Sequence, residues 1–121
     1  MRIAISTENN MVAAHFGRCP QYTLVDIEDG KVTGKEVVAN PGHAPGAIPK
    51  FLSDKGCDLI IAGGMGRRAQ QYFQKFNMDW ITGVQGEVET VIDDFLNNKL
   101  TPGESTCDHG EGKGTGYRDC H

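Results

Sequence analysis

The sequence predicts a single α/β domain on a mixed β-sheet, ending near residue 100 and followed by a flexible Gly-rich tail. Three observations carry that prediction. From about residue 48 onward, short apolar strand-like runs alternate with segments of helical periodicity, a pattern that favours parallel strands joined by right-handed crossovers. Asp29-Gly30 separates two strand-like runs, and that dipeptide is a strong two-residue hairpin signal, so one strand pair is antiparallel. Beyond Thr101-Pro102-Gly103 the apolar periodicity stops, while Gly110, Gly112, Gly114 and Gly116 crowd the remaining chain.

Taken in order, the first strand is expected over residues 2–6 and a long polar connection over 7–20. The hairpin strands fall over 22–28 and 31–38, with Gly34 marking a bulge or a weak edge. Residues 40–46 are dense in turn formers and read as a loop. Ile48, Phe51 and Leu52 share one helical face; Pro49 is tolerable only in the first turn, and Gly56 is the stop signal. Residues 57–63 read as a buried strand. Ala69, Tyr72, Phe73 and Phe76 form the apolar face of a second helix, and residues 78–82 a short strand. Val88, Val91, Ile92, Phe95 and Leu96 repeat the helical pattern, with Glu87 and Glu89 near the positive end of the helix and Lys99 near the negative end. The expected order is β-β-β-α-β-α-β-α: a domain over 1–102 and a tail over 103–121.

Composition narrows the function. The chain has 121 residues, a formal charge of −4, and 38% hydrophobic and 23% charged residues. A chain of this length buries roughly two-thirds of its unfolded surface, enough for one core. The acidic balance argues against general nucleic-acid binding, which needs a basic surface. Met1 to Ser6 runs into polar Thr7-Glu8-Asn9-Asn10 with no signal-peptide core, and Leu59-Ile60-Ile61-Ala62 is too short to span a bilayer. A cytoplasmic protein is expected. In a reducing compartment its four cysteines are metal ligands or free thiols rather than disulfides. Cys57 reads as a core residue and His43 as a solvated one.

Three segments could carry chemistry. Gly63-Gly64-Met65-Gly66-Arg67-Arg68 lies between a buried strand and a helix. Glycines there admit close backbone approach, and the helix N-terminus with its arginines suits an anion; the plainer reading is a tight turn with solvated arginines. The partial match to a dinucleotide fingerprint is discounted, because the chain lacks a second mononucleotide-binding half. His15-Phe16-Gly17-Arg18-Cys19-Pro20 offers an imidazole and a thiol four residues apart for a soft metal or sulfide cluster. Arg18 could pair with an anion and Phe16 anchor the loop; alternatively His15 and Cys19 simply fill it. In the tail, Cys107, His109, Cys120 and His121 make up a Cys₂His₂ set of the kind zinc takes. The spacing is not that of a zinc finger, and a disordered acidic tail is the competing reading.

With these residues in view, the chain resembles the dinitrogenase iron–molybdenum cofactor biosynthesis family, as a small stand-alone member similar to the nitrogenase cofactor carriers and the orange protein. The resemblance rests on the short first strand, on His15 to Pro20, on Asp58 through Ala69, and on the closing helix around Val88 to Leu96. It covers about residues 1–100 and implies a ribonuclease H-like fold, a mixed five-stranded sheet with flanking helices. It further implies a binding or carrier protein for an anionic metal–sulfide cluster of molybdenum–iron or molybdenum–copper type, with no enzymatic reaction. His15, Arg18 and Cys19 match the family's histidine-bearing loop, and Gly63, Gly64 and Gly66 with Arg67 its second signature. Cluster-assembly or ATPase proteins are the partners this implies.

Two other function classes stand beside the carrier. One is a regulatory or interaction module with zinc or iron in the tail. The other, a hydrolase on the same fold, is disfavoured: that chemistry needs clustered carboxylates for Mg²⁺, and residues 2–6 carry none.

Overall fold

β1 (Arg2–Glu8) is the axis of the sheet, and its run from Ile3 to Thr7 is buried. The computed structural model describes residues 1–42 and 46–97. On one side β1 pairs antiparallel with β3 (Gln21–Glu28), which pairs antiparallel with β4 (Lys31–Ala39). On the other side it pairs parallel with β5 (Leu59–Ile61), which pairs parallel with β6 (Asp79–Ile81). The order across the sheet is β4-β3-β1-β5-β6, with a two-residue strand β2 (Met11–Val12) folded back on the end of β1. This is the mixed sheet that the sequence predicts, with β2 as an addition.

Local chemistry explains the turns. Asp29 and Gly30 both adopt positive φ (53° and 75°), as the β3–β4 hairpin requires. The ladder slips between Asp26 and Ile27, where Gly34 and Val32 are the facing residues, so Thr33 is the extra residue of a β-bulge. Gly34 borders it, and a Cβ there would meet the Asp26 carboxylate at 3.2 Å.

β5 leads through the nine-residue helix α2 (Arg67–Lys75) to β6, and β6 leads to α3 (Val88–Leu96). α1 (Ala47–Asp54) precedes β5, with Pro49 in its first turn. Its end is a Schellman motif: Gly56 N–H donates to Ser53 and Cys57 N–H to Leu52, with Gly56 at φ 80°. α2 ends the same way on Asn77 at φ 60°, whose N–H donates to Gln74 while Met78 N–H donates to Phe73.

Strand alternation divides the core in two. Ala4, Tyr22, Leu24 and Ile60 pack against Phe16, the α1 residues Ile48 and Leu52, and Phe73 of α2. Ile3, Ile5, Val25, Leu59 and Ile61 pack against Val88, Val91 and Ile92 of α3. Phe73 is wholly buried, which contributes about 2–3 kcal/mol. Its ring meets Phe16 edge-on, with centroids 5.1 Å apart. Phe16 lies in the connection after β2, so this contact ties that connection to α2.

Two expectations are corrected. Residues 7–20 are not simply a polar connection: Asn9 and Asn10, at φ 53° and 66°, turn the chain into β2. The strands expected over 57–63 and 78–82 pair over three residues each. His43 and residues 98–121, with Cys107, His109, Cys120 and His121, lie outside the described residues. Among the described residues, no helix is long and apolar enough to cross a membrane.

Candidate functional site

β1, β5 and β6 run parallel and side by side, so their carboxyl ends open on one edge of the sheet, where ligands of open α/β sheets bind. Three connections meet there: the segment from Asn9 to Pro20, the glycine loop from Ala62 to Gly66, and the loop from Thr82 to Glu87. Backbone hydrogen bonds lace them together. Gly63 N–H donates to the Ala13 carbonyl at 3.0 Å, and Phe16 N–H to the Gly64 carbonyl at 2.9 Å. Gly83 N–H donates to the Gly63 carbonyl at 2.8 Å, and Val12 N–H to the Gly86 carbonyl at 2.8 Å. Gly63 is the tightest point, since a Cβ there would stand 2.8 Å from the Ala13 oxygen and 2.9 Å from Ala14 Cα.

The loop carrying His15 is a single 3₁₀ turn over Phe16–Arg18. Phe16 is buried, whereas His15 and Arg18 on either side of it are exposed. Cys19 departs from the ligand expectation. Its side chain is 2% exposed and its thiol donates to the Phe16 carbonyl at 3.3 Å, so it faces the core and braces the loop. The physical reason is the turn itself, which sends Arg18 outward and the next side chain inward. Tyr22 O–H donates to the same carbonyl at 2.7 Å.

The glycine loop ends at α2. Gly66 is the N-cap and supplies no side-chain cap, and the first turn holds Arg67 and Arg68 with no acidic residue. Cations at a helix N-terminus oppose the macrodipole. Both arginines are exposed, and among the described residues the ion pairs are Arg2–Asp26, Lys35–Glu89 and Lys50–Asp54, none of which involves Arg18, Arg67 or Arg68. α3, entered through a loop with the same glycine spacing, has the opposite character, with Glu87 as N-cap and Glu89 in its first turn. The structure thus brings the loops of His15, Arg18, Gly63, Gly64, Gly66 and Arg67 to one edge and turns Cys19 inward. Among the described residues, no three His, Cys, Asp or Glu side chains come together as a metal site.

Cys57 is a core residue, as expected: it is 5% exposed and burial pushes its thiol up to about 12. Sequence reasoning missed the third loop. A signal was present, because Ala62-Gly63-x-x-Gly66 recurs 20 residues on as Thr82-Gly83-x-x-Gly86, each following a strand and opening a helix. It missed Tyr22 as well, whose role depends on a contact that no local pattern encodes.

The architecture defines a small α/β protein whose parallel strands end in a loop-lined edge. The chain belongs to the dinitrogenase iron–molybdenum cofactor family, whose model matches residues 1–98. It is 30% identical over 105 residues to the uncharacterized protein MJ0580 of Methanocaldococcus jannaschii, a match covering 83% of this chain and 89% of that protein. The crystal structure of PH0822 is similar at 39% identity and a TM-score of 0.79, over 83% of this chain and 94% of that one. The apo form of the orange protein from Desulfovibrio gigas shares the fold, with 21% identity and a TM-score of 0.72 over 92% and 93% of the two chains.

Proposed function

We propose that this protein is a non-enzymatic carrier of an anionic metal–sulfide cluster containing molybdenum or iron. The cluster is held where the His15 loop meets the glycine loop. One observation carries this reading: the N-terminus of α2 presents Arg67 and Arg68 with no side-chain cap and no carboxylate partner among the described residues. An anion would complete that arrangement, receiving backbone N–H groups and guanidinium charge together. Arg18 adds a further cation and His15 an imidazole that can ligate a soft metal. Gly63 lets the chain at Ala13 and Ala14 close on the glycine loop, the Gly64 carbonyl accepts the Phe16 N–H, and Gly66 caps α2 without a side chain. Cys19 stays beneath the loop as its brace.

Family membership supports the cofactor-handling part of this reading, and a cluster-assembly or ATPase protein is the delivery partner it calls for. The tail set Cys107, His109, Cys120 and His121 is assigned a zinc or iron ion on the strength of its ligand types. Elemental analysis of protein isolated without oxygen, with inorganic sulfide determined alongside molybdenum, iron and zinc, tests both assignments. Molybdenum or iron in proportion to sulfide, with a coloured absorption spectrum, supports the carrier. Zinc alone and no sulfide would instead favour an interaction module that binds metal through its tail.

A further inference from the structure

Phe16 is held from three directions. Its N–H is bound to Gly64 of the glycine loop, and its ring packs on Phe73 of α2 and on Tyr22, with centroids 5.1 and 5.6 Å apart. Its carbonyl takes the Tyr22 hydroxyl at 2.7 Å and the Cys19 thiol at 3.3 Å. His15 and Arg18 flank this residue, and among the described residues neither side chain has a hydrogen bond or ion pair. Their placement therefore follows the backbone of the turn, held at Phe16 and, after Arg18, by the Asn40 amide on the Cys19 carbonyl at 2.7 Å. The Arg18 N–H reaches the His15 carbonyl at 3.3 Å, a weak closure for the turn. Of the two donors on the Phe16 carbonyl, the phenol is the shorter and stronger, since sulfur is a poor donor. Tyr22 is wholly buried on β3 and paired with Ser6 of β1 across the ladder, so its ring comes from the rigid middle of the sheet. Burial raises its ionisation well above the ordinary phenol range, which keeps it a donor.

We propose that Tyr22 is the positioning residue of the site: its hydroxyl, acting through the Phe16 carbonyl, sets the geometry in which His15 and Arg18 meet an anionic ligand. Nothing bound touches Tyr22; it acts through the loop. This rests on the carrier reading above, because it takes His15 and Arg18 as ligand contacts. Tyr22→Phe keeps the ring and its packing while removing one donor, and Cys19 remains on the carbonyl, so the core stays filled.

Two measurements on the full chain decide it. Amide hydrogen exchange of the ligand-free protein should show faster exchange at Gly17 and Arg18 in Tyr22→Phe, with β1 and β5 amides unchanged. Equilibrium binding of tetrathiomolybdate should weaken about fivefold, the effect of one lost buried hydrogen bond. A structural role alone would persist in any background, whereas positioning acts only through the loop. The Tyr22→Phe effect should therefore vanish when introduced into His15→Ala/Arg18→Gln. Unchanged exchange at Gly17 and Arg18, unchanged affinity, or an equal loss in the double-variant background would each overturn the proposal. If the wild-type protein binds no tetrathiomolybdate, the carrier reading fails with that probe, and the exchange comparison still decides whether Tyr22 orders the loop.

Discussion

Replacing Gly63 with alanine should be the most damaging single-methyl change in the candidate site. The added Cβ would meet the Ala13 oxygen at 2.8 Å, Ala14 Cα at 2.9 Å and the Ala14 oxygen at 3.0 Å. All three are backbone atoms, so relief cannot come from a rotamer. The segment after β2 must move away from the end of β5. Overpacking of this kind costs about 1–3 kcal/mol. The displacement also strains the Gly63-to-Ala13 hydrogen bond, whose net worth is about 1 kcal/mol. The sum is about 2–4 kcal/mol, or a fall of roughly 10–20 °C in Tm for a domain of this size. Gly66→Ala is the matched control. Nothing lies within 4 Å of its added Cβ, and its φ of −69° and ψ of 158° suit alanine, so the cost should stay below about 1 kcal/mol. Urea unfolding of both variants against wild type measures the difference. Equal midpoints for Gly63→Ala and Gly66→Ala would refute the close-approach argument.

Other outcomes follow from the same geometry. Arg2 Nε and Nη2 bind the Asp26 carboxylate, which lowers the Asp26 pKa below its ordinary 3.8. That stabilisation is complete above the ordinary value and is lost as pH falls through the lowered one, so the stability gap between wild type and Asp26→Asn should close in acid; a gap unchanged below pH 3.8 would contradict the assignment. Cys57, buried and with its thiol pushed up to about 12, should resist alkylation at neutral pH until the protein is unfolded, as peptide mass mapping will show. Phe16→Ala should destabilise by about 3–5 kcal/mol and loosen the His15 loop, read by urea unfolding and hydrogen exchange together. Cys107→Ser with Cys120→Ser in the full chain should abolish one equivalent of bound zinc; unaltered stoichiometry would remove the tail assignment.

The features legible in the sequence were those governed by local rules. Asp29-Gly30 announced its hairpin because only positive-φ residues make that turn, and Gly56 ended α1 for a related reason. The apolar stripes placed α2 and α3 because burial follows helical periodicity. The Asn9-Asn10 turn obeys the same chemistry as Asp29-Gly30, but β2 is only two residues long and leaves almost no alternation to read. Cys19 shows a different limit. A cysteine four residues after a histidine looks like a ligand, and which way it points is decided by a three-residue 3₁₀ turn and by the Phe16 carbonyl it meets. The His15 and glycine loops share one edge because β1 and β5 pair in parallel. The bond from Phe16 to Gly64 and the intrusion of Ala13 on Gly63 required the folded backbone.

The central claim is that the edge formed by the His15 and glycine loops binds an anionic sulfide cluster. Its most direct test is anaerobic titration of the wild-type protein and of His15→Ala/Arg67→Ala with tetrathiomolybdate, followed by equilibrium dialysis. Losing the charge-assisted Arg67 contact alone should cost about 1.5–3 kcal/mol, so the double variant should bind at least about tenfold more weakly while melting cooperatively. Equal affinity in the two proteins would contradict the account.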